Sequence, residues 1–361
     1  MPPCERRHPR TRILQIEPRV NPALRPELNA SAAPISTDGT EAAASHADGL
    51  GNAGDQATAG PPLPAPPGTG CPPPLAWQDV LREFIGAADA WYLDRPQYRL
   101  SGRTWGQGPP LYFLNGMGGS HELFCLLAYL LHHDYRCVLF DYPGTHRDDG
   151  ASLAQVTLTD LEDDLLAIAD QLGDDRLNLF ATSFGCLVAL GVMLRRPERI
   201  ERAILQGGFA HLQLSAAERV LLRVFRWHPG RMWQVPLRRL IQQANHRPWF
   251  PPFDQTRWQF FSENSGGVPV RAVAHRAAII RNADLRPRLP EVAPPVLVIR
   301  SEGEAVVAES SHDDLARGLP GARVEFMPAT GHIPYLTHPH RLAKLIREFA
   351  PSETAHAPRP S

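Results

Sequence analysis

The chain has 361 residues, of which 43% are hydrophobic and 21% charged, and its formal net charge is −1. A near-neutral balance without a clustered basic face speaks against nucleic acid or an anionic membrane as the main partner. No stretch approaches the roughly 18 uninterrupted apolar residues of a membrane span.

Five cysteines, at 4, 71, 125, 137 and 186, are odd in number and irregular in spacing, so neither a disulfide framework nor a zinc site is expected. The first residues, MPPCERRHPRTRIL, are basic but lead into no apolar core of a signal peptide, which makes the reduced cytoplasm the default expectation. Residues 1–74 are rich in Pro, Ala and Gly and close on GPPLPAPPGTGCPPP. Such a segment buries too little surface to offset its ordering entropy, and a disordered tail is expected there. A second, shorter tail is expected at 351–361.

From residue 75 onward short apolar runs punctuate the chain: LYFL at 111–114, CVLF at 137–140, LNLF at 177–180, AIL at 203–205, VLVI at 296–299 and VEFM at 324–327. Each has the length and composition of a strand buried on both faces. Helical patterns lie between several of them. The clearest starts near Thr159, with Leu161, Leu165, Ile168 and Leu172 on one face and Glu162 placed to close a capping box. Alternation of this kind predicts an α/β chain with a mostly parallel sheet flanked by helices. It breaks after AIL. Residues 211–275 lack strand-like runs, read as helical, and hold Trp227, Trp233, Trp249 and Trp258, four of the seven tryptophans. A helical cap over the strand ends is one reading of this stretch, and an ordinary subdomain with an aromatic core is the other. The core would then be 75–210 together with 276–350.

The chemistry-bearing pattern is LNLF-ATSFG-CLVALGVML. A strand runs into Ala181-Thr182-Ser183-Phe184-Gly185 and an apolar helix follows, the setting of a nucleophilic serine on a sharp strand-to-helix turn. A general base is expected on a loop near the end of the chain, and Thr330-Gly331-His332 follows VEFM directly. His338 and His340 stand in the start of the next helix and are weaker candidates. The acid should follow VLVI, where Glu304 is the first choice and Glu302 its rival. Oxyanion donors would be backbone N–H groups. The candidates are Phe184, next to the serine, and Met117 in the glycine-rich run Asn115-Gly116-Met117-Gly118-Gly119. Asn115, Gly116, Trp227 and Trp233 are the candidate substrate contacts. The glycine run fits neither a dinucleotide fingerprint nor a P-loop, so it is not expected to cradle a phosphate, and no metal is expected.

With these pieces in order, the chain resembles the α/β-hydrolase superfamily over about residues 98–350. The matching pieces are LNGMGG, FDYPG, ATSFG, RSEGEAVV and ATGHIPYLTHP. The resemblance implies the α/β-hydrolase fold with a cap inserted after strand 6, and cofactor-free attack by Ser183 on a small-molecule acyl substrate. Carboxylic esters come first, with C–C bond hydrolysis or acyl transfer behind them. Serine at the elbow is unlike the dehalogenase and epoxide hydrolase members, which need aspartate there. Three departures mark a divergent member: Asn115-Gly116 where His-Gly is common, Thr145-His146 after Asp141-Tyr142-Pro143-Gly144, and Glu in place of Asp as the acid. QGGFAHLQL and the PYL after the histidine loop are similar to maspardin-type members, which implies an interaction scaffold as the competing reading.

Overall fold

The computed structural model describes residues 75–146, 152–252 and 254–351. The tail expected at 1–74 lies outside the described residues, as does the one expected at 351–361 apart from Pro351. Eight strands form one sheet in the order β1-β2-β4-β3-β5-β6-β7-β8. The six predicted runs are β3 (Pro110–Leu114), β4 (Arg136–Phe140), β5 (Leu177–Thr182), β6 (Ile200–Gln206), β7 (Val296–Ser301) and β8 (Arg323–Met327), all mutually parallel. An antiparallel hairpin, β1 (Asp89–Arg95) and β2 (Tyr98–Trp105), completes one edge. The apolar runs missed this hairpin, because charged residues such as Asp94, Arg95, Arg99 and Arg103 interrupt it.

The inner parallel strands look uniformly apolar because both of their faces are covered; β8, expected to be buried as well, stands at the edge and leaves Val324 and Phe326 exposed. Tyr112, Leu114, Val138, Phe140, Leu179 and Ala181 pack on one side, with Leu161, Leu165 and Ile168 of α3 (Leu158–Leu172) and the whole length of α4 (Phe184–Arg195). Leu111, Phe113, Cys137, Leu139 and Phe180 pack on the other, against α1 (Trp77–Ala87), α2 (Cys125–Leu131) and the C-terminal helix at Pro339–Phe349. Alternate residues therefore feed two separate cores, as the period of a strand requires. Cys125, Cys137 and Cys186 are free and buried, and burial raises each thiol well above its ordinary value.

The start of α3 differs from expectation. Its N-cap is Thr157, whose Oγ1 accepts from Asp160 N at 3.3 Å while Asp160 Oδ2 accepts from Thr157 N at 2.7 Å. The box thus closes two residues early. Glu162 turns inward instead, to Arg195 of α4 at 2.6 Å, over Gly191, where a Cβ would sit 1.9 Å from its carboxylate. Between β6 and β7 the chain carries α5 (Ala216–Phe225), α6 (Arg238–His246), α7 (Gln255–Gly267) and α8 (Val270–Asn282). The last of these runs straight through residue 275. No described helix is long and apolar enough to cross a membrane.

Candidate active site

β5 delivers Ser183 at its C-terminal end with φ 52° and ψ −118°, a left-handed region that a side-chain-bearing residue adopts only where its surroundings force it. The force comes from packing. A Cβ on Gly185 would lie 2.4 Å from Leu114 O and 2.8 Å from Asn115 O, so the end of β3 presses directly on the turn. Phe184 opens α4, which aims the partial positive charge of a helix N-terminus at the serine.

His332 stands on the loop after β8, and its Nδ1 meets Glu304 Oε2 at 2.6 Å. The other carboxylate oxygen accepts from the backbone N–H groups of Val306 (2.8 Å) and Val307 (3.1 Å). Burial alone would raise this carboxyl. The imidazole beside it and the two amides outweigh burial and bring it down to about 2. An ionised Glu304 holds the Nδ1–H tautomer of His332 and leaves Nε2 as the acceptor. Glu302, the rival acid, is exposed and does something else: its Oε2 accepts from Ala329 N and its backbone O from Gly331 N, both at 2.9 Å, which braces the histidine loop. His338 stands between the two following helices and His340 within the second, and neither lines the cavity that His332 lines.

Gln206, fully buried at the end of β6, ties the two loops together. Its Oε1 accepts from Thr182 Oγ1 at 2.7 Å and its Nε2 donates to His332 O at 3.1 Å. Gly207 follows with φ 56°. A Cβ there would come within 3.2 Å of both Glu304 Oε2 and His332 Nδ1, so only glycine leaves the pair its space.

Ser183 and His332 line one cavity of about 190 Å³ together with Asn115, Gly116 and Met117 of the loop after β3. That loop is pinned from the β6–β7 insertion. Arg276 of α8, 2% exposed, donates from Nη1 to Met117 O at 2.8 Å and from Nη2 to Thr145 Oγ1 at 2.5 Å. Asn264 of α7 grips Ser120 twice, through its backbone N–H (3.1 Å) and its hydroxyl (2.7 Å). Asp141 anchors the loop from below: Oδ1 accepts from His121 N at 2.8 Å, and Oδ2 meets His121 Nδ1 at 2.5 Å and His146 Nε2 at 2.8 Å. Burial opposes its ionisation, but the two imidazoles prevail and hold the carboxyl far below its usual range. These three residues are the one His/Asp/Glu/Cys cluster among the described residues close enough to share an ion. In the structure their atoms meet as direct hydrogen bonds.

The expected tryptophan contacts are not brought to this cavity. Trp227 is 76% and Trp233 49% exposed, and neither is among the lining residues. Trp227 follows α5, which buries none of its residues, and Trp233 lies in a short turn beside Gly266 and Gly267, where its neighbour Met232 faces the cavity instead. Trp249 is the one that reaches the loops, close enough to clash with any Cβ on Gly303 or Gly331. Met232, Arg238, Gln242, His246 and Phe261 line the cavity from the insertion in place of the expected pair. Two signals pointed to such residues: Arg276 within the apolar AVAHRAAII, and a polar stripe spaced by four at Arg238, Gln242 and His246.

The profile of the family described as alpha/beta hydrolase fold matches residues 109–339. The chain belongs to the α/β-hydrolase family. A candidate carbamate hydrolase, RutD, of Agrobacterium fabrum is 25% identical over 267 residues, covering 70% of this chain and 97% of its own. The pimeloyl-[acyl-carrier protein] methyl ester esterase of Nitrosomonas europaea is 27% identical, covering 66% and 94%. Among solved structures, a hydrolase from Pseudomonas aeruginosa PA01 superposes with a TM-score of 0.63 at 23% identity, over 72% of this chain and 98% of that one. The enol-lactonase of Burkholderia xenovorans LB400 superposes with 0.61 at 21%, over 72% and 99%. With hydrolases and esterases as its relatives, the chain is an esterase-like member of the α/β-hydrolase family.

Proposed function

We propose that the chain is a serine hydrolase that cleaves a small carboxylic ester or related acyl compound through an acyl-enzyme on Ser183. The observation that carries this reading is the 2.6 Å contact of Glu304 with His332 at the cavity that also holds the strained Ser183. His332 Nε2 takes the proton of Ser183 Oγ as that oxygen attacks the acyl carbon. The negative charge on the former carbonyl oxygen faces the N–H groups of Met117 and Phe184. Collapse breaks the bond to the leaving group, which departs with the proton from His332. Water then repeats the sequence on the acyl-enzyme, giving its proton to His332, and releases the acid.

In this reading the helical insertion is a cap, expected at 211–275, with Asn115 and Gly116 beside the substrate. A cavity of about 190 Å³ is below the roughly 300–1,000 Å³ typical of drug-sized ligands, which favours a small acyl group. The names of the relatives, a carbamate hydrolase and a methyl ester esterase, agree with an ester-like reacting centre.

The test is labelling by a fluorophosphonate probe in wild type and Ser183→Ala. Labelling of the wild type alone supports the activated serine, and the variant is expected to lose activity by at least about 10⁴-fold. A folded wild type that takes no label would move the assignment to a non-catalytic scaffold.

A further inference from the structure

One side chain in the cavity has no explanation in the steps above. Arg238 opens α6, is only 9% exposed, and lines the same cavity as Ser183 and His332. Its Nη2 is committed to the protein, donating to Ser265 Oγ at 2.7 Å and Ser262 O at 3.3 Å. Nε and Nη1 have no hydrogen-bond acceptor among the described residues, and no carboxylate there lies within ion-pair distance. Burial, followed by the like charge of Arg239, pushes the guanidinium below its ordinary value. Arg257 makes an instructive contrast. It is equally buried, yet it has Asp254 at 3.1 Å and the backbone oxygens of Leu336 and Leu75.

A buried cation without a counter-charge is costly to a fold, and it persists where something else uses it. The surroundings keep its free side open. Residue 266 is glycine, and a Cβ there would stand 3.2 Å from Nη1. Ser265 Oγ accepts from both Arg238 and Gln242 and donates to Phe261 O at 2.6 Å, so the guanidinium is held in place by a saturated hydroxyl.

We infer that Arg238 is an anion anchor for the substrate proposed above, binding a carboxylate that the substrate carries at a distance from the bond that breaks. The inference rests on the serine hydrolase reading. A guanidinium offers N–H donors that suit a carboxylate oxygen. The distance follows from α6 itself. His246, eight residues on, has its ring 6.0 Å from that of His332, whereas at ~1.5 Å per residue the Arg238 backbone lies about 12 Å further along the helix. The long Arg238 side chain reaches back from there into the cavity that Ser183 lines, so the anion meets it at the end of the substrate away from the serine. A monoester of a dicarboxylic acid of five or six carbons is the simplest compound with this layout.

The experiment compares monomethyl glutarate with methyl valerate, and monomethyl adipate with methyl hexanoate, pairs that differ only in the terminal carboxylate. Wild type is expected to show a kcat/KM at least tenfold higher for the acid of each pair. Arg238→Met is expected to lower that ratio at least tenfold, mainly through KM, and Arg238→Lys to keep part of it. Should Arg238→Met fail to fold, protection of the wild type from fluorophosphonate labelling is read instead, with glutarate protecting and glutaramide not. A labelled, active wild type without preference for the acids, or a ratio unmoved in a folded Arg238→Met, overturns the anion anchor and leaves the serine reading standing. An unlabelled wild type removes both.

Discussion

The polar groups on the two sides of the cavity are held in different ways. On the strand side Glu304, His332, Gln206 and Thr182 form one bonded chain, with Glu304 alone taking two amides and an imidazole. On the helix side the stripe of α6 leaves Gln242 Oε1 and His246 Nδ1 buried without a hydrogen-bond partner among the described residues, and burial and then the charge of His332 lower the His246 imidazole to about 4. The outward faces are reversed as well. Strand residues such as Leu179 and Ile299 are fully buried, whereas Val220, Val224, Leu240 and Ile241 of α5 and α6 are all at least 60% exposed. The lesson is that two walls of one cavity can follow opposite rules, one saturated and fixed in geometry, the other leaving donors and acceptors open.

The largest test of that contrast breaks the saturated side. Glu304→Gln removes the charge and offers His332 the wrong tautomer, and kcat is expected to fall by about 10³- to 10⁴-fold. Steady-state assays on a small ester measure this, and a fall below tenfold would deny Glu304 its role. Next is Arg276→Met, which frees Met117 O at one wall of the cavity. Its kcat should fall by about 10- to 100-fold with KM less affected, short of the ~10²- to 10³-fold cost of removing an oxyanion donor outright, and a change confined to KM would contradict that.

A third test reads stability against pH. Glu304 titrates near 2 in the folded chain and near 4.3 unfolded, so its contribution is complete above about pH 5 and is lost as pH falls toward 2. At 1.36 kcal/mol per unit it amounts to about 3 kcal/mol. Urea unfolding of wild type and Glu304→Gln at pH 7 and pH 3 should show the gap between them shrink on acidification. The smallest effect belongs to the outward face of α5, where Leu221→Gln, at a position 47% exposed, should change stability by under about 0.5 kcal/mol. A thermal melt reads it, and a larger loss would mean that this face is covered in solution.

Five of the six parallel strands were legible because burial on both faces keeps an apolar run at their centre, and β8 because Val324 and Phe326 keep such a run even at an exposed edge. The β1–β2 hairpin was not, since a strand at the edge has solvent on part of its surface and its charges hide the pattern. That Ser183 and His332 meet at one cavity, and Glu304 meets His332, was legible because a strained turn, a strand end and a late loop each constrain nearby residue types. The insertion resisted the same reasoning. Aromatic residues were taken as inward-facing, but α5 packs along α8 with Val220, Val224 and Trp227 outward. Arg238, Gln242 and His246 form a stripe whose direction no periodicity reveals, because a polar face reads as solvent-exposed until something is shown to cover it. Arg276 carried the better hint, since an arginine among AVAHRAAII has apolar neighbours on every side.

Gln206 has a further consequence, for the exchange of backbone hydrogens with solvent. Ser183 N donates to Gln206 O at 3.0 Å and Gly207 N to Ile299 O at 3.2 Å, so the amides at the bottom of the reactive cleft belong to the ladder of the central sheet. Opening them requires parting β5, β6 and β7, and their exchange with deuterium should be limited by global unfolding. The amides of α5 and α6, whose outward faces are exposed, should exchange long before.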